Sequence, residues 1–223
     1  MKRTLVNHNL FPEEDNSKLI VMQLDLETLQ LFEGKISEGG NLYFSGSNEN
    51  SWCIVYRDFT SVETENFYKI ISPFGDILIY NMYCFRYIQE AILFFQVKKG
   101  DYFRNALIII SGLGSNQFVI TYLIKNYVQN DQKIPKLHFF HSEGNFEMAA
   151  LYLELLDKKI IYRTIKSNEE NFLKIWYKSI QIQISFKQIS KSRICFLLGI
   201  NDRKYSIRNH LISQYIGNRS LSW

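Results

Sequence analysis

The sequence predicts an α/β fold: a mainly parallel sheet flanked by helices, with antiparallel strands from the N-terminal third and a basic C-terminal extension. Three observations carry this prediction. Residues 106–165 alternate strand-like and helix-like segments: ALIIIS, QFVITYLIKNYVQ, KLHFF, FEMAALYLELLD and KKIIYRTI. That alternation is how parallel strands joined by crossover helices read. The intervening loops GLGSN and HSEGN are small and polar, and both follow strands, where open α/β sheets bind ligands. Charge is uneven: residues 158–223 hold 13 Lys/Arg and 3 Asp/Glu, whereas the preceding 157 hold 13 and 19.

Along the chain, residues 17–32, SKLIVMQLDLETLQLF, can be read two ways: LIVMQLDL suits a strand, while LDLETLQLF has helical spacing with Leu24, Thr28 and Leu31 on one side. NLYFSG and SWCIVYRDF read as a β-hairpin around the polar loop SGSNENS. SVETENFYKIISPFG is ambiguous and ends in a turn at Pro73–Gly75. DILIYNMY reads as a buried strand, and the spacing of Tyr87, Ala91, Phe94 and Phe95 predicts a helix over 84–98. After the 106–165 core, a short helix is expected over 168–177. SIQIQISFK alternates Ile180, Ile182, Ile184 and Phe186 with polar residues and reads as a half-exposed strand. YSIRNHLISQYIG reads as an amphipathic helix with Ile207, Leu211, Ile212, Tyr215 and Ile216 on its apolar side.

Length bounds the organisation. A chain of 223 residues, 46% hydrophobic and 15% aromatic, suits one domain with a core over 76–165 and a basic extension over 166–223. Three prolines disfavour extended disorder. Cys53, Cys84 and Cys195 are far apart, odd in number and form no CxxC pair, so reduced thiols in a cytoplasmic protein are expected. The opening MKRTLVNHNLFPEEDN lacks the apolar stretch of a signal peptide. No apolar run approaches the ~20 residues needed to cross a bilayer.

Two loops carry the candidate chemistry. In ISGLGSNQF, Gly112 and Gly114 supply a tight turn, and Ser115 and Asn116 are good caps for the next helix. Backbone N–H groups there could meet an anion. The loop is neither a Walker loop nor a full dinucleotide fingerprint, because the lysine and the third glycine are absent. In FFHSEGNFEMAA, His141, Glu143 and Glu147 could perform acid–base work or hold a cation, with Asn145 beside them. The alternative for both loops is a capped βα turn without a ligand, in which Glu143 and Glu147 favour the helix N-terminus. His138 reads as a core or face residue. Asn81 is expected on the same carboxyl edge as a ligand-binding amide.

The C-terminal cations Lys187, Lys191, Arg193, Arg203, Lys204 and Arg208 lie among Phe186, Tyr205, His210 and Trp223. Basic residues among aromatics suit phosphate contact and base stacking, so DNA or RNA is the expected partner. Their spacing matches no zinc finger, RNP motif or helix-turn-helix.

The element order over about 52–165 resembles the Toprim domain of primase-like and mobilisation-associated proteins. It is carried by DILIYNMY with RYIQEAILFF, ALIIISGLGSN, KLHFFHSEGNFEMAALYLELL and KKIIYRTI. That resemblance implies a glutamate and an aspartate pair that bind Mg²⁺. Asn81 falls at the glutamate position, and His141 and Glu143 at the aspartate pair. It therefore implies a divergent, inactive relative. The expected function is a non-catalytic or weakly catalytic nucleic-acid-associated protein of a mobile element, phage or defence system. The alternatives are an enzyme that binds a nucleotide, sugar or phosphate at the sheet's carboxyl edge, and a protein-interaction module.

Overall fold

The computed structural model describes residues 4–6, 20–58, 60–75, 78–98, 101–112, 117–130, 132–141, 146–157, 159–166, 170–217 and 219–222. Strand β1 (Thr4–Val6) is followed by β2 (Ile20–Gln23) and helix α1 (Leu26–Leu31). Residues 20–31 thus hold both, a strand and then a helix. Asp25 makes the switch: its carboxylate accepts the Thr28 N–H at 2.7 Å, which caps α1. Strands β3 (Gly34–Ile36), β4 (Leu42–Ser45), β5 (Trp52–Val55) and β6 (Ser61–Glu63) then build an antiparallel sheet in the order β1-β6-β5-β4-β3. The expected hairpin is β4–β5, in register Leu42↔Val55. Leu42, Phe44, Cys53 and Val55 face its core.

The central sheet begins with β7 (Lys69–Ile71) and β8 (Asn81–Phe85). Helix α2 (Ile88–Lys98) and β9 (Ala106–Ile110) follow. Helix α3 (Gln117–Leu123) runs into a π-helical turn over Ile124–Val128. Then come β10 (Lys136–His141) and α4 (Phe146–Leu156). The 84–98 helix starts four residues later than its spacing predicts. Cys84 and Phe85 stay in β8, where successive side chains are buried on opposite faces, as a central parallel strand requires.

The remaining elements are β11 (Ile161–Ile165), β12 (Phe172–Tyr177), β13 (Ile180–Ser185), α5 (Lys191–Leu198), β14 (Ile207–Leu211), α6 (Ser213–Ile216) and β15 (Arg219–Ser222). Three expectations are overturned here. KKIIYRTI does not extend the parallel sheet: β11 pairs antiparallel with β12. Residues 172–177 are a strand rather than a helix, because Leu173 and Ile175 point inward while Phe172, Lys174 and Trp176 alternate with them. The 205–217 segment splits into β14 and the short α6, because Ile207 pairs in parallel with Leu137 of β10.

The central sheet has the order β14-β10-β8-β9-β7, parallel except for the edge strand β7. The sheet class is therefore mixed α/β. The central sheet is mostly parallel, whereas antiparallel pairs outnumber parallel ones over the whole described chain. Tyr83, Phe85, Ile108, Ile110 and Phe140 face α2, α6 and the N-terminal sheet. Met82, Cys84, Leu107, Ile109, Leu137 and Phe139 face α4, α5 and the three-stranded sheet β11–β12–β13. Burial on both faces explains the near-continuous apolar runs that made these strands readable.

Candidate functional site

At the carboxyl edge, Gly112 is the one glycine-loop residue described; Gly114, Ser115, Asn116, Glu143 and Asn145 lie outside the described residues. His141 ends β10 and Glu147 lies in α4, and their side chains are also outside the description. Ser111 N and Gly112 N donate to the carbonyls of Phe85 and Arg86, both at 3.0 Å. Gly112 has φ +60°, and a Cβ there would lie 2.6 Å from the Phe67 carbonyl oxygen and 2.8 Å from Glu63 Oε1. Glycine is needed here because the protein's own backbone and a carboxylate press on it.

Two carboxylates are buried near Gly112 and the start of α2. Glu63 is 5% exposed and Glu90, in the first turn of α2, is fully buried. Gln89 Nε2 donates to Ser61 Oγ at 3.2 Å, and the Arg86 guanidinium lies 5.6 Å from the Tyr87 ring centroid. Burial, then the Glu63 charge, pushes the Cys53 thiol up. Sequence reading missed Glu63, Arg86 and Glu90. A helical glutamate ordinarily reads as solvated, and SVETENF carries no motif. Among the described residues no group of three His, Cys, Asp or Glu is placed to hold a metal ion.

Asn81 is not on that edge. It is the first residue of β8, in register with Ala106 and Lys136, so it sits at the sheet's amino edge. The strand it was expected to end begins there. The residues assigned to the Mg²⁺ carboxylates therefore do not fit the ion: Asn81 and His141 stand at opposite edges, and neither is a carboxylate.

Asn81 instead ends a buried polar chain. Its Oδ1 lies 3.2 Å from His138 Nε2, His138 Nδ1 lies 3.0 Å from His210 Nε2, and His210 Nδ1 lies 2.7 Å from the Tyr215 hydroxyl. With the Asn81 oxygen as acceptor, His138 must carry its proton on Nε2. His210 then donates from Nε2 to His138, and Tyr215 donates to His210 Nδ1. Both imidazoles are satisfied in the neutral state. Tyr83 stacks against Tyr102 at 5.5 Å and tilts over His138 at 5.0 Å, so the chain is walled by rings. Burial first, then His210, Lys136 and Arg208, holds the His138 pKa down at about 4. Of the core and face readings of His138, its 8% exposure fits the core one.

The amino edge also carries an open cleft of about 680 Å³. Leu78, Tyr80, Tyr127, Lys133, Lys136 and Ser206 are among its lining residues, and none of the described lining residues is acidic. Leu78 and Tyr80 are 61% and 57% exposed. Ser206 belongs to the segment that leads into β14, so Arg203, Lys204 and Arg208 reach the sheet at this same edge.

Of the six expected cations, Lys187, Arg193, Arg203, Lys204 and Arg208 are exposed. Lys191 is committed internally. Its ammonium pairs with Asp202 Oδ2 at 2.9 Å, and also bonds the backbone carbonyls of Asp202 and Tyr205. Tyr152 bridges the same carboxylate at 3.0 Å and Cys195 Sγ at 2.8 Å. Burial opposes the Asp202 charge, yet Lys191, the Lys204 N–H and Tyr152 together hold its carboxyl below the usual range. This network ties α5 to α4. All three cysteines are free thiols, and among the described residues no helix is long and apolar enough to cross a membrane.

The fold and these sites define a mixed α/β protein with buried Glu63 and Glu90 near Arg86 at the carboxyl edge and an open cleft bearing lysines at the amino edge. No family model, curated protein or solved structure matches the chain.

Proposed function

We propose that this chain is a nucleic-acid-associated α/β protein, non-catalytic or weakly catalytic, that works in the cytoplasm for a mobile element, phage or defence system. The amino-edge cleft carries the reading. Exposed Tyr80 and Leu78 stand beside Lys133 and Lys136, without an acidic residue among the described lining, and Arg203, Lys204 and Arg208 flank the strand entering beside them. Lys191 and Asp202 neutralise each other, so the exposed cations there keep their charge for a partner. Cations among aromatics serve phosphate contact and base stacking. The Toprim-like reading belongs to this proposal through element order alone.

The test is binding of arbitrary oligonucleotides as a function of salt. The affinity is expected to fall linearly on a log–log plot, with a slope reduced by roughly 2–3 when Arg203, Lys204 and Arg208 become Ala. No binding at low salt overturns the reading. A second reading, an enzyme of phosphate or nucleotide chemistry, draws support from buried Glu63 and Glu90 with Arg86 at the carboxyl edge. A nucleotide that raises the melting temperature of the wild type, and not of Glu90→Gln, would favour it.

A further inference from the structure

The three-stranded sheet buries one face and opens the other. Inward-facing Leu173, Ile175 and Ile184 are at most 2% exposed. In the registers Ile161↔Trp176↔Gln181 and Arg163↔Lys174↔Gln183, those six residues share the outer face. Ile161 is 66% exposed, and Arg163, Gln181 and Gln183 are exposed with it.

Trp176 is the centre of that face. Arg163 Cζ and Lys174 Nζ lie 5.1 and 5.2 Å from its ring centroid. The indole N–H donates to Gln181 Oε1 at 2.9 Å, which fixes the ring. Among the described residues neither cation is ion-paired, and none of the six outer residues is acidic. A half-exposed aromatic ring on a sheet face, two cations over it and amides along the next strand are the parts that grip unpaired bases: the cations swing off the ring onto phosphates, the ring stacks, and the amides bond base edges.

We propose that this outer face binds single-stranded nucleic acid, with an unpaired base stacked on Trp176 and flanking phosphates on Arg163 and Lys174. Duplex bases are already stacked on one another and present no free ring face, so the ring selects the unpaired form. An acidic peptide would engage the same cations and gain nothing from the indole. The inference names the form of nucleic acid and rests on the nucleic-acid reading above, but uses a surface separate from the amino-edge cleft.

The experiment is fluorescence anisotropy with labelled oligo(dT) and oligo(U) 12-mers, and a duplex of the same length, on the full chain. Trp176→Ala is expected to weaken single-strand binding about 5- to 100-fold, and Trp176→Phe to restore most of it. Arg163→Ala with Lys174→Ala should flatten the single-strand salt slope by roughly 1.4. Gln183→Glu, an exposed change that leaves the inner face intact, should weaken binding while the melting temperature holds. A preference for oligo(U) over oligo(dT) would add use of the 2′-hydroxyl. The platform is overturned if Trp176→Ala binds like wild type, or if poly-glutamate competes as well as the oligonucleotide. If Trp176→Ala is neutral while Arg203, Lys204 and Arg208 remain essential, this inference fails and the amino-edge reading stands. If no oligonucleotide binds at low salt, both fail.

Discussion

The two edges of the central sheet differ in where their described charged groups sit. At the carboxyl edge Gly112 lies against the Phe67 carbonyl and the buried Glu63 carboxylate, and Glu90 is sealed in α2. At the amino edge, Tyr80, Lys133 and Lys136 line an open cleft. Open α/β sheets ordinarily bind at the carboxyl edge, because the loops there converge on helix N-termini. Here the N-terminal antiparallel sheet occupies part of that space: Glu63 ends its strand β6 and reaches Gly112. An appended layer can thus fill part of the space at one edge of a sheet.

The sharpest way to break this comparison is at Gly112. Gly112→Ala places a methyl against a backbone carbonyl in a left-handed conformation and is expected to cost about 2–4 kcal/mol in urea denaturation. Gly199, with φ +64° at the end of α5, has open space around it, so Gly199→Ala should cost only about 1 kcal/mol. Equal costs would mean that backbone strain alone explains Gly112, and the close approach of Glu63 would lose its meaning.

Next in size is the pH response of the chain that starts at the amino edge. His138 is held near pKa 4 in the fold and titrates near 6.5 when unfolded, so the unfolded state binds more protons between those values. Its contribution is present in full above about pH 6.5 and lost as pH falls toward 4, about 1–3 kcal/mol in all. Denaturation midpoints at pH 7 and 4.5 measure it, and His138→Gln should remove most of the difference. A variant with the wild-type slope would place the acid sensitivity elsewhere.

A smaller effect compares the edges in binding. Lys133→Glu with Lys136→Glu is expected to weaken oligonucleotide binding at least about tenfold, roughly 1.4 kcal/mol, while Glu63→Gln leaves affinity within about twofold. The reverse pattern would move recognition to the carboxyl edge. Smallest of all, Tyr80→Ala should change stability by no more than about 0.5 kcal/mol, because the ring is 57% exposed.

What was readable in the sequence follows from burial. ALIII and KLHFF announce themselves because β9 and β10 are covered on both faces. FLKIWY and SIRNHL do not, because β12 and β14 mix inward apolar residues with half-buried Lys174 and exposed Arg208, a pattern that also fits a short amphipathic helix. Ile207 is placed by pairing with Leu137, far away in the chain. Asn81 was misplaced because β8 begins at it, and the apolar Leu78, Ile79 and Tyr80 precede the strand instead of forming it. Asn81, His138 and His210 could not be grouped: His138 joins Asn81 and His210 across sequence separations of 57 and 72 residues. No local pattern encodes such a meeting.

The Tyr215–His210–His138–Asn81 chain has one more consequence. Its three hydrogen bonds all point the same way, and each imidazole accepts at one nitrogen only if it donates at the other. No single member can turn round alone without leaving two donors or two acceptors facing each other. Reversal is therefore collective: the Asn81 amide flips, both rings exchange tautomers, and the phenol becomes an acceptor. The four groups behave as one two-position element inside the sheet. ¹⁵N shifts of the His138 and His210 rings should accordingly move together when Asn81→Asp changes the terminal acceptor, although the mutated atom touches only one of them.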